Sequence, residues 1–327
     1  MDIICRIEAK QDSSVSGDSS GAAAPSVPHQ SAHWAQPGLG KNWQHRFFYW
    51  LIRIAGKKPG YHIAYIVAFW YVLFYPSIRK RCRFYLDRRF PDHRGALRRL
   101  RDTYRLVRTF SATLVDIMIV NIQGPSAMAV TVPDHDLMMR LCSGDRGFIL
   151  IHAHVGCWQA GITTLREIPK RVSLVMLPEE RTRSLADPQS VDIVDPRAGL
   201  QCAMQLTDAL LRGEIVAMMG DRIFGDSKQL VRTRFLGGNI FIPVTPYRLA
   251  SATGMPVLVM QAPKITGQSY ELRVARVIEV PPGLGRDSKN YEPYAQQFAN
   301  CLEEFVRDYP WQFYNFYDLW DEATKEA

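Results

Sequence analysis

The chain has 327 residues, of which 47% are apolar and 22% charged, with a formal net charge of +8. That apolar share is ample for a folded core and excludes a wholly disordered chain. The charge is concentrated: from Arg79 to Arg108 twelve Lys/Arg stand against three Asp, a local excess of +9, so the remainder of the chain sums to about −1.

In chain order, residues 1–40 carry Ser, Gly, Ala and Pro clusters and read as a disordered tail, with no apolar segment of a secretory signal at the start. An aromatic run follows, Phe47 to Ile52, then a break at Lys57-Lys58-Pro59-Gly60 and a second apolar run from Tyr61 to Tyr75. The second run is shorter than the ~20 residues that cross a hydrocarbon core as one straight helix. It reads either as a buried core helix or, given its aromatics and the adjoining Arg79-Lys80-Arg81-Cys82-Arg83, as a helix in or dipping into an anionic membrane surface. The charge comes with no nucleic-acid-binding motif, so a nucleic-acid partner is not expected. Residues 102–120 have the spacing of an amphipathic helix.

From residue 121 onward the pattern alternates. Phe148–Ile151 is a predicted strand, Gly156–Glu167 a helix, Val172–Leu177 a strand, Arg197–Leu211 a helix and Ile215–Met219 a strand. Helix Tyr247–Thr253, strands Pro256–Ala262 and Tyr270–Val280, and a final helix Tyr291–Asp308 complete the series. This order predicts an α/β fold with a mainly parallel central sheet covered by helices, preceded by a membrane-associated helical region. The expected divisions are a tail at 1–40, an aromatic and basic helical region at 41–120, and an α/β domain at 121–327. Six scattered cysteines lack metal-ligand spacing and read as reduced thiols, so no metal is expected.

His152-Ala153-His154-Val155-Gly156-Cys157-Trp158-Gln159 leaves the first strand of that series at its C-terminal end, where α/β enzymes place chemistry. His154 is suited to take a proton near neutral pH, although such a base normally has a carboxylate behind it. Gly220-Asp221-Arg222, Phe235-Leu236-Gly237-Gly238 with Phe241-Ile242-Pro243, and Ala252-Thr253-Gly254-Met255-Pro256-Val257 form further loop blocks, and Pro310-Trp311-Gln312-Phe313-Tyr314-Asn315-Phe316-Tyr317-Asp318 closes the chain.

In this order, from about Trp43 to Trp320, the blocks resemble the lysophospholipid acyltransferase superfamily, and within it the branch of lipid A biosynthesis (lauroyl/myristoyl) acyltransferases. The resemblance implies transfer of a fatty acyl group from an acyl carrier protein or coenzyme A thioester to a hydroxyl or amine of a membrane lipid, without a further cofactor. It also implies a place on the cytoplasmic face of the bacterial inner membrane. His154 falls on the family's catalytic histidine. The family's carboxylate falls on Gln159, an amide that cannot offset a developing positive charge. Three outcomes follow: a slow enzyme, an acid supplied from elsewhere, or a non-catalytic lipid- or carrier-binding relative. Asp221 is the leading substitute acid, against a turn residue paired with Arg222; Glu179 and Glu180 are weaker candidates. Main-chain amides from Val155 to Cys157, with Gly156 at their centre, are the expected oxyanion donors. Arg222, Lys228, Arg232 and Arg234 suit a phosphate on substrate or headgroup, with a solvated loop as the alternative, and Arg197 occupies a position often basic in the family. His152 reads as structural, and Cys157 is a weak candidate for a nucleophile.

Overall fold

The computed structural model describes residues 42–164, 168–177, 191–222 and 229–320. The expected disordered tail, Glu179, Glu180 and Lys228 lie outside these residues. Four helices come first: α1 (Asn42–Ala55), α2 (Lys57–Phe74), α3 (Pro76–Arg89) and α4 (Ala96–Gln123). The break between α1 and α2 is Gly56, whose φ of +84° suits glycine; Pro59 and Gly60 lie inside the first turn of α2, where a missing N–H costs nothing.

Gly60, Ala64, Ala68 and Val72 recur every fourth residue and form the buried stripe of α2. A Cβ at Gly60 would come within 2.9 Å of Ile52, so small residues set how closely these helices approach. Other positions of this helix are apolar and exposed, Ile66, Phe69, Trp70, Leu73 and Phe74, as are Phe47, Trp50 and Ile54 of α1. Pro76 cannot continue a helix from the preceding turn, and the chain bends by 93° between α2 and the arginine-rich α3. By length and composition α4 could span a bilayer, as could the bent pair taken together, and a buried core helix meets the same measure.

The rest is mixed α/β. In chain order it comprises β1 (Ala129–Thr131), α5 (His135–Ser143), β2 (Phe148–His152), α6 (Gln159–Thr164), β3 (Val172–Val175), β4 (Val191–Val194), α7 (Leu200–Leu211) and β5 (Ile215–Met219). A hairpin of β6 (Leu230–Phe235) and β7 (Gly238–Pro243) is followed by α8 (Thr245–Thr253), β8 (Val257–Gln261), β9 (Lys264–Thr266), β10 (Ser269–Glu271), β11 (Arg273–Ile278) and α9 (Glu292–Asp308). The six-stranded sheet has the order β11-β8-β2-β5-β3-β4; its pairings are parallel except for the antiparallel edge β11 on β8. β2 and β5, buried except at their last residues His152 and Met219, lie at its centre and read as continuous apolar runs up to that point.

Several expectations are corrected. The central sheet is parallel but for its β11 edge, while the sheets taken together are mixed: β1, β10 and β9 form a separate three-stranded sheet and β6–β7 a two-stranded one, neither of which the sequence had announced. The single strand expected over Tyr270–Val280 divides at Leu272 into β10 and β11, which belong to different sheets. The helix expected from Gly156 begins at Gln159, because Gly156 has φ +60° and Cys157 N–H is bonded to Ala262. The one expected from Arg197 begins at Leu200, after Gly199 at φ +56°.

The helical region and the sheet are joined by buried polar and aromatic contacts. Asp116 of α4, fully buried, accepts from the hydroxyls of Tyr61 and Tyr270 and from Lys264 Nζ, tying α2 and α4 to β9 and β10. The closing segment adds Tyr85 stacked on Phe313, Phe90 on Trp311, and Phe110 against Tyr314 and Phe316.

Candidate active site

β2 and β5 are adjacent, parallel and in register, with His152 opposite Met219. Each strand therefore delivers the residues that follow it to the same edge of the sheet. His154 and Asp221 both lie two positions past that register pair and meet there: His154 Nδ1 is 2.9 Å from Asp221 Oδ1, and the His154 main-chain N–H donates to Oδ2 at 2.8 Å. Gly220 N–H to His152 O, 2.7 Å, closes the two loops against each other. Since Asp221 accepts, Nδ1 carries the ring proton and Nε2 holds the lone pair.

The closing segment braces the pair. Tyr314 N–H donates to His154 O and Gly156 N–H to Gln312 O, each at 2.9 Å, so residues 154–156 run as one rung beside 312–314. Gln312 also bonds Lys264 through both ends of its amide. Asn315 is buried, and its Nδ2 donates to Asp221 Oδ2 at 3.0 Å. Nothing in the sequence had marked Asn315; its place in an aromatic-rich closing block was the available signal.

Asp221 is 6% exposed and His154 21%. Burial pushes the Asp221 carboxyl up, but the attraction of His154 when its ring is protonated, the hydrogen bonds from His154 and the charge of Arg222 outweigh it and hold the carboxyl below its ordinary range, so it remains ionised. Burial and the neighbouring Arg222 cation carry His154 below the ordinary histidine value despite Asp221, leaving a neutral ring whose Nε2 accepts from Arg222 Nε. His152 is lowered to about 4, chiefly by burial, and its ring lies where a Cβ on Gly161 of α6 would stand 3.5 Å from Cε1. Cys157 is pushed up to about 12 by burial, which leaves it a thiol and unsuited to nucleophilic attack.

Gln159, at the family's acid position, opens α6, and its amide oxygen lies 3.6 Å from the Cys157 thiol. The ring nitrogen that would need it is taken by Asp221. Two of the three main-chain donors expected for an oxyanion are also engaged: Gly156 N–H by Gln312 and Cys157 N–H by Ala262 O, both at 2.9 Å. Gly156 itself is required by space, since a Cβ there would fall 2.2 Å from Ala262 O.

The arginines separate. Arg222 comes to the site, with Nε 3.1 Å from His154 Nε2 and its guanidinium 5.8 Å from the centre of the Tyr317 ring. Arg232 and Arg234 occupy alternate, exposed positions of β6, the first over Phe241 and the second with its N–H on Gln296. Arg197 forms a close pair with Asp195. No bond joins these three to the His154 pair among the described residues. Nor do three or more His, Cys, Asp or Glu side chains gather there as metal ligands.

The model of the bacterial lipid A biosynthesis acyltransferases matches residues 27–322. The chain belongs to that family. It is therefore an acyltransferase of lipid biosynthesis, moving an acyl group to a lipid. Among solved structures, this family member is similar to the crystal structure of the 1-acyl-sn-glycerophosphate (LPA) acyltransferase PlsC from Thermotoga maritima, with 13% sequence identity, coverage of 82% of this chain and 96% of that chain, and a TM-score of 0.39. No curated protein matches this acyltransferase by sequence.

Proposed function

We propose that the chain transfers a fatty acyl group from an acyl carrier protein or coenzyme A thioester to a hydroxyl or amine of a membrane lipid, with His154 as general base and Asp221 as the carboxylate behind it. The observation that carries this reading is the 2.9 Å contact between Asp221 Oδ1 and His154 Nδ1, made by a carboxylate that stays ionised. His154 Nε2 takes the acceptor's proton as the acceptor attacks the thioester carbon, and Asp221 stabilises the imidazolium that forms. A non-catalytic relative is the weaker reading, because its motive was an amide at position 159, and the ring is served by another residue.

The exposed aromatic face of α1 and α2, with Trp70 56% exposed, followed by Arg79, Lys80, Arg81 and Arg83 on α3, favours lodging in an anionic membrane surface. The proposed location is the cytoplasmic face of the bacterial inner membrane. The test uses bacterial membranes as the acceptor pool and radiolabelled palmitoyl-CoA or palmitoyl-acyl carrier protein as donor. Label is expected in an extractable lipid with the native chain and not with His154→Ala; transfer undiminished by that substitution would refute the assignment of the base.

A further inference from the structure

The tetrahedral intermediate of acyl transfer places a negative charge on the former carbonyl oxygen, which needs donors already in place. The two loop amides of Gly156 and Cys157 are bonded to Gln312 O and Ala262 O. The cation beside the ring is Arg222. Its Nε lies 3.3 Å from His154 Nδ1 and 3.1 Å from Nε2. Arg222 Nε donates to Nε2, so the guanidinium stands at the point where acceptor and thioester meet and yields that nitrogen when the acceptor's hydroxyl takes its place. Tyr317 flanks the guanidinium at 5.8 Å. Both Asp221 oxygens already have donors, from the His154 ring, the His154 main chain and Asn315.

We propose that Arg222 is the catalytic residue that stabilises the oxyanion, a role resting on the acyltransferase reading with His154 as base. As the acceptor oxygen bonds to the thioester carbon, its proton passes to His154 Nε2 and the carbonyl π electrons move to the oxygen, where the guanidinium takes up the charge. On collapse the C–S bond breaks, the thiolate leaves with the bonding pair, and His154 returns the proton to sulfur. This departs from the phosphate-binding role expected from sequence. A phosphate site acts on the ground state and moves KM, whereas an oxyanion donor acts in the transition state and moves kcat.

The full chain in membranes, with palmitoyl-CoA as donor, separates the two. Arg222→Gln is expected to lower kcat by about 10²–10³ with KM for palmitoyl-CoA little changed, and Arg222→Lys to recover part of the loss. A rise in KM with kcat preserved, or no change in either, overturns the proposal. His154→Ala is run alongside: if it retains transfer, the underlying assignment of the base fails, and if it is inactive while Arg222→Gln is normal, only the role of Arg222 fails. The ¹⁵N signature of a Nδ1-protonated His154 reports whether Arg222→Gln leaves the Asp221 pair intact; if it does not, Arg222→Lys decides by the same kcat and KM criterion.

Discussion

Replacing Asp221 by Asn keeps the shape of the side chain and removes its charge. In the native site the carboxylate accepts from the His154 ring at 2.9 Å, the His154 main chain at 2.8 Å and Asn315 at 3.0 Å. The site holds its pKa below the ordinary 3.8, which favours the charged form. Because the folded value is the lower one, this contribution to stability is fully present above 3.8 and is lost as pH falls toward about 2. On the proposed mechanism the catalytic cost exceeds the ground-state cost, since the imidazolium forms only once the acceptor's proton has moved, and an amide on Nδ1 also permits the wrong tautomer. The corresponding change in serine proteases costs about 10⁴ in kcat. For Asp221→Asn we expect a kcat loss of about 10³–10⁴ with KM for the thioester nearly unchanged, read as labelled lipid formed per minute in membranes. Gln159→Ala, whose amide lies against Cys157, is the internal control and is expected to stay within about tenfold of the native rate. If Asp221→Asn retained more than about a tenth of native kcat, or Gln159→Ala lost as much as Asp221→Asn, the carboxylate would not be acting through the ring.

Gly156→Ala must place a methyl 2.2 Å from Ala262 O at φ +60°, so the loop carrying His154 has to shift; we expect a loss of about 2–5 kcal/mol in denaturant unfolding, and a loss below about 1 kcal/mol would show that the loop adapts freely. His152, held at about 4 by burial against 6.5 unfolded, is neutral in the fold; its contribution is present above pH 6.5 and declines as pH falls toward 4, a loss that His152→Phe is expected to abolish in acid-unfolding curves. His154 is lowered as well, so the acidic limb of kcat/KM against pH should lie below 6.5 and should rise when Arg222 is replaced by Gln; a limb at or above neutrality in the native enzyme would contradict the balance of burial and Arg222 against Asp221. Replacing Trp50, Trp70 and Phe74 together by Ser removes exposed apolar surface from α1 and α2, each side chain contributing about 2 kcal/mol when buried in lipid, and should abolish sedimentation with phosphatidylglycerol vesicles; unchanged sedimentation would remove these helices from the membrane surface.

The sequence by itself determined the elements whose signal is local. An apolar run ending in His-Ala-His and a glycine identifies a buried strand with chemistry at its C-terminal end, because a strand covered on both faces must be apolar throughout and must stop where polar groups begin. The aromatic surface of α1 and α2 and the basic α3 are equally local, being runs of composition. The hairpin β6–β7 was harder to see, since its outward positions carry Arg232 and Arg234 and a two-residue turn links strands of mixed polarity. Its alternation is what parts both arginines from the site: one face of a strand packs, the other meets solvent.

Which carboxylate lies against the His154 ring was decided only by tertiary structure. Five positions of chain separate His154 from Gln159, yet the opening of α6 turns that amide toward Cys157. Sixty-seven positions separate His154 from Asp221, yet the register of β2 on β5 brings them within a hydrogen bond. Asn315 and Arg222 join them for the same reason, one from a closing segment that runs beside the histidine loop and the other from the loop after β5. Periodicity and composition act within a window of the chain. The electrostatic partner of a buried base is chosen by sheet register and by which hydrogen bonds remain unfilled, and both arise only when distant segments pack.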